Sequence, residues 1–467
     1  MTPTENGRAR RDGTERILGP TYAATTVGMF ALIAFVAFEA MAVTTVMPGI
    51  ARELDGQGLY ALTFAAPLVT GVIGTVAAGM WSDRHGPALP LVLSMVLFSA
   101  GLVVCGTAPT MEILVAGRLV QGLGGGALTV GLYVLVGLAF PPQLQPSVFA
   151  SFAAAWVLPS LFGPVLAAFV AAHLGWRWVF LGAVVLVALS ALLIAPAIRG
   201  RGDRGAAEDA PLSRLVWASL AAIAVLAVEL LGSAEGIFGL GAVVAFVAVV
   251  LTVRRLVPQG TLVAHRGLPA VIGTRGLLGA GFFCIEAYIV YVLQEDWGLT
   301  AGRAGLALTV VGVTWAAASQ AQARLGSRVS NARAMQVGTT LVLTGAVILA
   351  VSVSLHLPAL VAAGSYVVAG AGMGFGYPRT GVAMLEASTD ADRGFNSSAL
   401  TIADSLGAAL ALSVAGVIFG IAERTDADPF LAVFLLSVAI GVVGVLVARR
   451  TSTGGTAPSV LEDSGHA

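Results

Sequence analysis

Fourteen mostly apolar stretches, each close to the length that crosses a hydrocarbon layer, occupy most of this 467-residue chain. They run approximately over 24–48, 58–80, 88–107, 111–139, 146–171, 177–196, 214–232, 237–253, 268–293, 301–320, 333–354, 358–386, 396–421 and 429–448. A spanning helix needs about 20 such residues, because the hydrocarbon core is about 30 Å thick and a helix rises about 1.5 Å per residue. The connections are short, and no segment resembles an independent soluble domain. The chain therefore reads as an all-α polytopic membrane protein of fourteen transmembrane helices. Only 11% of its residues are charged, against roughly a quarter in a soluble domain. A formal net charge of zero excludes the basic surface that nucleic acid requires. The first twenty residues are polar and carry Arg8, Arg10, Arg11 and Arg16, so the first apolar run is expected to be a span and not a cleaved leader.

All 25 basic residues are Arg, and their distribution is sided. With the N-terminus in the cytoplasm, 18 fall in cytoplasmic tails and loops, and four (Arg52, Arg177, Arg303, Arg424) fall outside. The remaining three, Arg118, Arg275 and Arg379, lie within spans. This bias follows the positive-inside rule and places both termini in the cytoplasm. The abundance of Ala, Gly and Val and the lack of Lys fit a GC-rich, bacterial genome, and the expected location is the cytoplasmic (inner) membrane.

Internal repetition divides the chain. Phe38-Glu39-Ala40 in span 1 parallels Ile285-Glu286-Ala287 in span 9. Arg84-His85-Gly86 after span 2 parallels Arg324-Leu325-Gly326 after span 10. The expected organisation is a tail (1–22), a six-helix bundle (23–200), a linker with an inserted hairpin of spans 7 and 8 (201–266), a second six-helix bundle (267–450) and a tail (451–467). Parallel halves of this kind are a transporter architecture, with the site at their interface near the midplane.

Local motifs give the arrangement a family. Gly79-Met80-Trp81-Ser82-Asp83-Arg84-His85-Gly86 resembles the motif A loop of the major facilitator superfamily, with Pro87 and Ala88 where that loop usually carries a basic pair. Gly117-Arg118-Leu119-Val120-Gln121-Gly122 in span 4 resembles motif B. Gly163-Pro164 in span 5 resembles motif C, the antiporter motif, and Gly175-Trp176-Arg177 opens span 6 as in many drug exporters of that superfamily. Span 1 carries Glu39 nine residues before Pro48, in the place of an Asp-x-Thr…Pro element of the 14-span drug:proton antiporters. The resemblance covers about residues 20–450. It implies proton-coupled efflux of lipophilic or cationic small molecules by alternating access, with spans 1, 4 and 9 lining a central cavity in a monomer embedded in lipid. The alternative is a lipid or metabolite transporter of the same fold without proton coupling.

Ionisable residues inside a span are costly and are functional candidates by default. Six stand out: Glu39, Arg118, Arg275, Glu286, Arg379 and Asp404. Counting helix rise puts Glu39, Arg118 and Glu286 in one layer and the other three in a second layer nearer the cytoplasm. Glu39, Glu286 and Arg118 are the expected proton-coupling residues, since a proton on the acid frees the arginine and its loss restores the attraction. The competing reading is an ion pair holding the two halves together. Arg379 and Asp404, on consecutive spans at similar depth, are expected to pair. The expected substrate cavity is Phe38, Glu39, Gln121, Phe282, Phe283, Glu286, Tyr288 and Trp315. Asp83, Arg84, Gly86, Gly163, Pro164, Arg275, Arg379 and Asp404 are expected to gate or brace. Glu112, Glu229 and Glu386 lie near span ends and are expected to reach water.

The glycine-rich Gly122–Gly126 and Gly370–Gly376 lie inside apolar spans without a Walker Lys, so close packing is expected there and a nucleotide loop is not. Cys105, Cys284 and the scattered histidines show no ligand spacing. No cofactor, metal or catalytic residue is expected, and no enzyme.

Overall fold

The computed structural model describes residues 17–85, 88–141, 144, 148, 151–152, 155–198, 212–232, 238–325, 328–389 and 393–452. Among the described residues it contains fourteen α-helices, in the order expected. The first six are α1 (Ala23–Glu53), α2 (Tyr60–His85), α3 (Ala88–Thr107), α4 (Met111–Ala139), α5 (Val157–His173) and α6 (Arg177–Ile198). The hairpin is α7 (Ser213–Gly232) and α8 (Phe238–Leu256). The last six are α9 (Leu268–Glu295), α10 (Ala301–Leu325), α11 (Asn331–Ser354), α12 (Ala359–Glu386), α13 (Arg393–Arg424) and α14 (Pro429–Ala448). Among the described residues, twelve helices are long and apolar enough to cross a membrane, and α5 is shorter. Span 5, expected from residue 146, has a turn at residues 155–156 ahead of α5.

An even number of crossings puts the two ends of the helical array, α1 and α14, at one end of the molecule, here the tail end. The opposite, distal end carries the α1–α2 and α9–α10 connections. α1 runs on through Pro48 to Glu53. Pro48 lacks the N–H that would bond one turn back, and spanning helices tolerate this where neighbouring groups re-satisfy the backbone. One turn before Pro48, the hydroxyls of Thr44 and Thr45 bond Ala40 O and Met41 O at 2.9 Å each, carbonyls other than the one that Pro48 frees. Glu39 thus lies about 21 Å below the end of its helix, deeper than a span ending at Pro48 would place it.

The two six-helix halves repeat one packing scheme. Gly122, Gly124 and Gly126 of α4 have their counterparts in Gly370, Gly372 and Gly374 of α12. Both sets serve backbone approach: a Cβ on Gly124 would stand 2.7 Å from Phe98 Cα of α3, and one on Gly372 would stand 2.6 Å from the Gly338 carbonyl oxygen of α11. Hydrocarbon gives helices no hydrophobic reason to associate, so van der Waals contact at small residues supplies the attraction.

The halves meet along α2–α13 and α5–α10, with α1 against α9 and α10. The hairpin lies along the α2–α13 seam. Val69 and Val72 of α2, Ala221 and Val225 of α7, Val249 of α8 and Leu406 and Ala409 of α13 form one buried cluster there. At the distal end the halves are closed by aromatic rings. Tyr60 packs on Tyr291 and Tyr288 at 4.7 and 5.4 Å between centroids, and Phe419 stacks on Tyr291 at 5.9 Å. The Arg52–Glu295 ion pair spans the same closure.

Replacing Gly372 by Val should lower the melting temperature of the purified protein in detergent, with overpacking costing about 1–3 kcal/mol. Gly364, where an added Cβ would meet nothing within 4 Å, should accept Ala without change. Equal melting of G372V and wild type would contradict the packing role.

Candidate functional site

α1, α2 and α4 surround the first charged pair. Glu39 is 4% exposed and Arg118 6%. Arg118 Nη1 donates to Glu39 Oε1 at 2.6 Å and to Gln121 Oε1 at 2.8 Å. Its Nε donates to the Thr63 carbonyl of α2 at 2.9 Å. Arg118 and Gln121 stand three residues apart on α4, so they share one face. The pair ties together three helices of the first half, and this corrects the reading in which it bridges the halves. The reason is position: α4 faces α2 and α3, and Arg118 points from it toward α1.

The second half repeats this geometry with a different partner. Glu286 on α9 accepts a hydrogen bond from the Tyr366 hydroxyl of α12 at 2.8 Å. Tyr366 is the eighth residue of α12, as Arg118 is the eighth of α4. One acid on the first helix of each half therefore meets one partner at the same register of the fourth. The partner is a cation in the first half and a neutral hydroxyl in the second. Around Glu286, Phe282 packs edge-on against Trp315 at 5.3 Å and stacks on Tyr366 at 5.4 Å.

The expected cavity residues separate into two groups. Phe38, Phe283, Glu286 and Trp315 are half-buried and stand where a cavity wall is expected. Gln121, Phe282 and Tyr288 are 2%, 0% and 1% exposed. In this distally closed conformation, Phe282 and Tyr288 belong to the packed core and not to an open wall, because aromatic neighbours cover both. Gly163 faces Phe38 and Met41 of α1, with 3.5 Å from a Cβ position to each. Pro164 faces Gly305 of α10 at 3.0 Å on the same measure. The Gly163-Pro164 element thus sits where α5 meets both α1 and the other half.

The expected Arg379–Asp404 pair does not form. Asp404 pairs with Arg275, Oδ1 to Nε at 3.3 Å. The Tyr377 hydroxyl also donates to it. Arg275 lies over the Tyr377 ring at 3.2 Å and donates to Thr380 Oγ1 at 3.1 Å. α9 and α13 approach closely because Gly276 and Gly407 meet with a Cβ-to-carbonyl spacing of 2.7 Å. That approach, and not similar depth on consecutive spans, selects the partner. Arg379 turns instead to α10 and α11, donating to the Gln322 side chain, to the Gln322 carbonyl at 3.0 Å and to Asn331 Oδ1 at 3.1 Å. The Gln322 carbonyl is among the last four of α10, which lack partners within the helix. Asn331 in turn donates to Glu386 at 2.7 Å, so Glu386 braces this corner. Of the expected loop residues Asp83, Arg84 and Gly86, the first two end α2, and Gly86 and both side chains lie outside the described residues.

Three contributors escaped the sequence reading: Thr63, Tyr366 and Thr380. Tyr366 could have been found from its register with Arg118; the others supply a carbonyl or hydroxyl that no charge pattern marks. Glu229, expected at water, is 2% exposed. Among the described residues no group of His, Cys, Asp and Glu could hold a metal ion.

Two repeated bundles with charged groups buried on facing helices define a multi-pass membrane protein of transporter architecture. Residues 29–252 match the model described as Major Facilitator Superfamily. A probable multidrug-efflux transporter of Mycobacterium tuberculosis is 25% identical over 463 residues, covering 95% of this chain and 98% of that protein. The multidrug efflux pump SdrM of Staphylococcus aureus is 24% identical, covering 91% and 95%. Among solved structures, the POT family transporter PepTSo matches 91% of this chain and 97% of its own, with a TM-score of 0.67 and 15% identity.

Removing one member of the first pair should destabilise strongly, since a buried charge left alone costs about 3–5 kcal/mol. E39Q and R118M should each melt lower than wild type, and the double variant should recover most of the loss. A double variant no more stable than the worse single one would contradict a direct pair.

Proposed function

We propose that the chain exports lipophilic or cationic small molecules in exchange for protons, by alternating access about the two halves, with its N- and C-termini in the cytoplasm. The observation that carries this reading is the repeated acid: Glu39 against a cation, Glu286 against a hydroxyl, at matching positions of the two halves. The relatives named as multidrug efflux proteins support the substrate class, and the Arg distribution supports the orientation.

The two acids divide the work. A proton on Glu39 cancels the charge that answers Arg118, which then holds only the Thr63 carbonyl and the Gln121 amide. Loss of the proton restores the attraction. Each event changes the net charge enclosed by α1, α2 and α4 by one unit, and a low-dielectric interior makes that change matter to packing. Glu286 has a neutral hydroxyl as its donor. In its charged form it attracts a cation at the half-buried aromatic wall of Phe283 and Trp315, and rings favour cationic groups. A proton and a cationic substrate neutralise the same carboxylate, so they exclude one another, which is the requirement for exchange. The alternative of a lipid carrier draws on a lateral opening lined by the hairpin. The α7–α8 hairpin instead packs onto the α2–α13 seam through its small apolar residues.

The test is transport of ethidium, as a lipophilic cation, in proteoliposomes under an imposed pH gradient. Wild type should accumulate it with the gradient, and E39Q and E286Q should each lose at least about tenfold in gradient-driven rate. If both variants keep wild-type rates, or if wild type ignores the gradient, the proposal fails.

A further inference from the structure

The tail-end connection from the hairpin to the second half carries a surface that the mechanism above does not use. α8 closes on Arg254 and Arg255. Residues 257–267 then lead to α9, and α14 ends just before Arg449 and Arg450. Residues 252–274 and 445–452 together hold five Arg (those four and Arg266) and no Asp or Glu. All five are exposed, and among the described residues none of them makes an ion pair. The connection is a fixed piece of structure. Val257 is buried with Val271 and Ile272 of α9 and Met335 of α11. The His265 N–H donates to the Gly260 carbonyl at 3.0 Å, and Ala264, with φ of 50°, takes the left-handed conformation that a Cβ disfavours. Arg450 holds that conformation from the end of α14. The Gly267 N–H donates to its carbonyl at 3.1 Å, and its Nη1 donates to the Val263 and Ala264 carbonyls at 3.2 and 3.4 Å. The turn at Thr261–Val263 touches both α8 and α9. It presents Leu262 and Val263, 48% and 61% exposed, next to Arg450.

We propose that this corner binds one anionic phospholipid of the tail-end leaflet, with the headgroup phosphate among Arg254, Arg255, Arg266 and Arg449 and the acyl chains over Leu262 and Val263. The occupant follows from charge and depth. Guanidinium groups that no acid answers repel one another, and their planar forks match the oxygens of a phosphodiester. Two aliphatic side chains held out from a turn gain nothing in water, whereas at the boundary between headgroups and acyl chains they enter hydrocarbon. α8 has 19 residues and is about 28 Å long, so it spans the hydrocarbon and leaves Arg254 and Arg255 at headgroup level. Trp217 of α7 marks the same level, as interfacial tryptophans do, with the Arg255 guanidinium 5.8 Å from its ring centre. The positive-inside rule accounts for the sign of this end of the molecule. It does not account for a fixed turn that sets an apolar pair beside the charge.

A lipid at this corner has a structural consequence. Arg254 and Arg255 end the hairpin, Arg266 precedes α9 and Arg449 follows α14. One phosphate among them draws the end of the hairpin onto the second half, adding from the surface to what Val257 does from inside. The tail end of α8 then travels with the second half when the halves rock. An acidic peptide or a free phosphate would use the arginines but not Leu262 and Val263, which makes the aliphatic pair diagnostic of a lipid. The site is independent of the proton exchange proposed above.

The experiment titrates full-length protein in neutral detergent with dioleoyl phosphatidylglycerol, with dioleoyl phosphatidylcholine and with inorganic phosphate. It reads retained lipid by native mass spectrometry and the melting temperature in parallel. Phosphatidylglycerol should be retained and should raise the melting temperature, and the other two should do neither at the same concentration. R255Q and R266Q should each weaken phosphatidylglycerol binding about fivefold, the factor that one arginine near the membrane surface contributes. L262S/V263S, which keeps every charge, should weaken it as well. R303Q, which removes one exposed charge at the distal end, should leave it unchanged. Each substitution is at an exposed position, and the melting temperature without lipid checks that the fold is kept. Equal retention of the two lipids, an equal response to inorganic phosphate, or wild-type affinity in R255Q and R266Q would overturn the site. So would wild-type affinity in L262S/V263S, or a loss in R303Q as large as that in R255Q. No transport step enters the readout, so failure of the exchange reading would leave this result standing.

Discussion

A charge inside hydrocarbon has to be answered by another part of the same chain, and the Glu39–Arg118 pair is where this protein meets that demand most tightly. Three helices take their relative positions from it. α1 supplies the acid, α4 the guanidinium and the Gln121 amide, and α2 a backbone carbonyl. Arg118 can satisfy these acceptors at once because its planar fork presents several donors in fixed directions. A lysine in that place would leave acceptors unanswered. The same demand explains the second half, where Asp404, Arg275, Tyr377 and Thr380 answer one another across α9, α12 and α13.

The repeat gives this demand a functional asymmetry. The two halves share helix order, glycine positions and the site of an acid on the first helix, yet the fourth helix offers Arg118 in one half and Tyr366 in the other. A carboxylate facing a fixed cation is already neutralised. One facing a hydroxyl keeps its charge available to a mobile cation or a proton. In the proposed exchange, one register position thus separates a structural switch from an exchange site on a common scaffold. The hairpin adds a further buried acid, Glu229, beside Gly416 of α13.

The fourteen helices, the repeated halves and the intramembrane charges were legible in the sequence, since the medium itself enforces apolar length and makes each charge conspicuous. Pairing was less legible. Arg275 rather than Arg379 meets Asp404 because Gly276 and Gly407 bring α9 against α13, and helix proximity of that kind is not encoded in depth along a span. Phe282 and Tyr288 read as cavity residues from their nearness to Glu286, but one helix turns both faces within four residues, and aromatic neighbours bury them. Glu229 read as a residue near a span end because its position in α7 is indeed terminal. Its burial comes from the start of α2 and the middle of α13 closing over it, a tertiary fact with no local signature. Pro48 misled the length of α1 for the converse reason: a strong local breaker was overridden by a helix that continues to Glu53.

The proposed exchange rests on competition between proton and substrate at Glu286, with Glu39 switching against Arg118 inside the first half. It is tested most directly by adding ethidium to detergent-solubilised protein in weak buffer and measuring released protons. Proton release is expected on substrate addition to wild type, reduced in E39Q and in E286Q and abolished when both acids are replaced. Substrate binding without proton release, or release that survives loss of both acids, would contradict it.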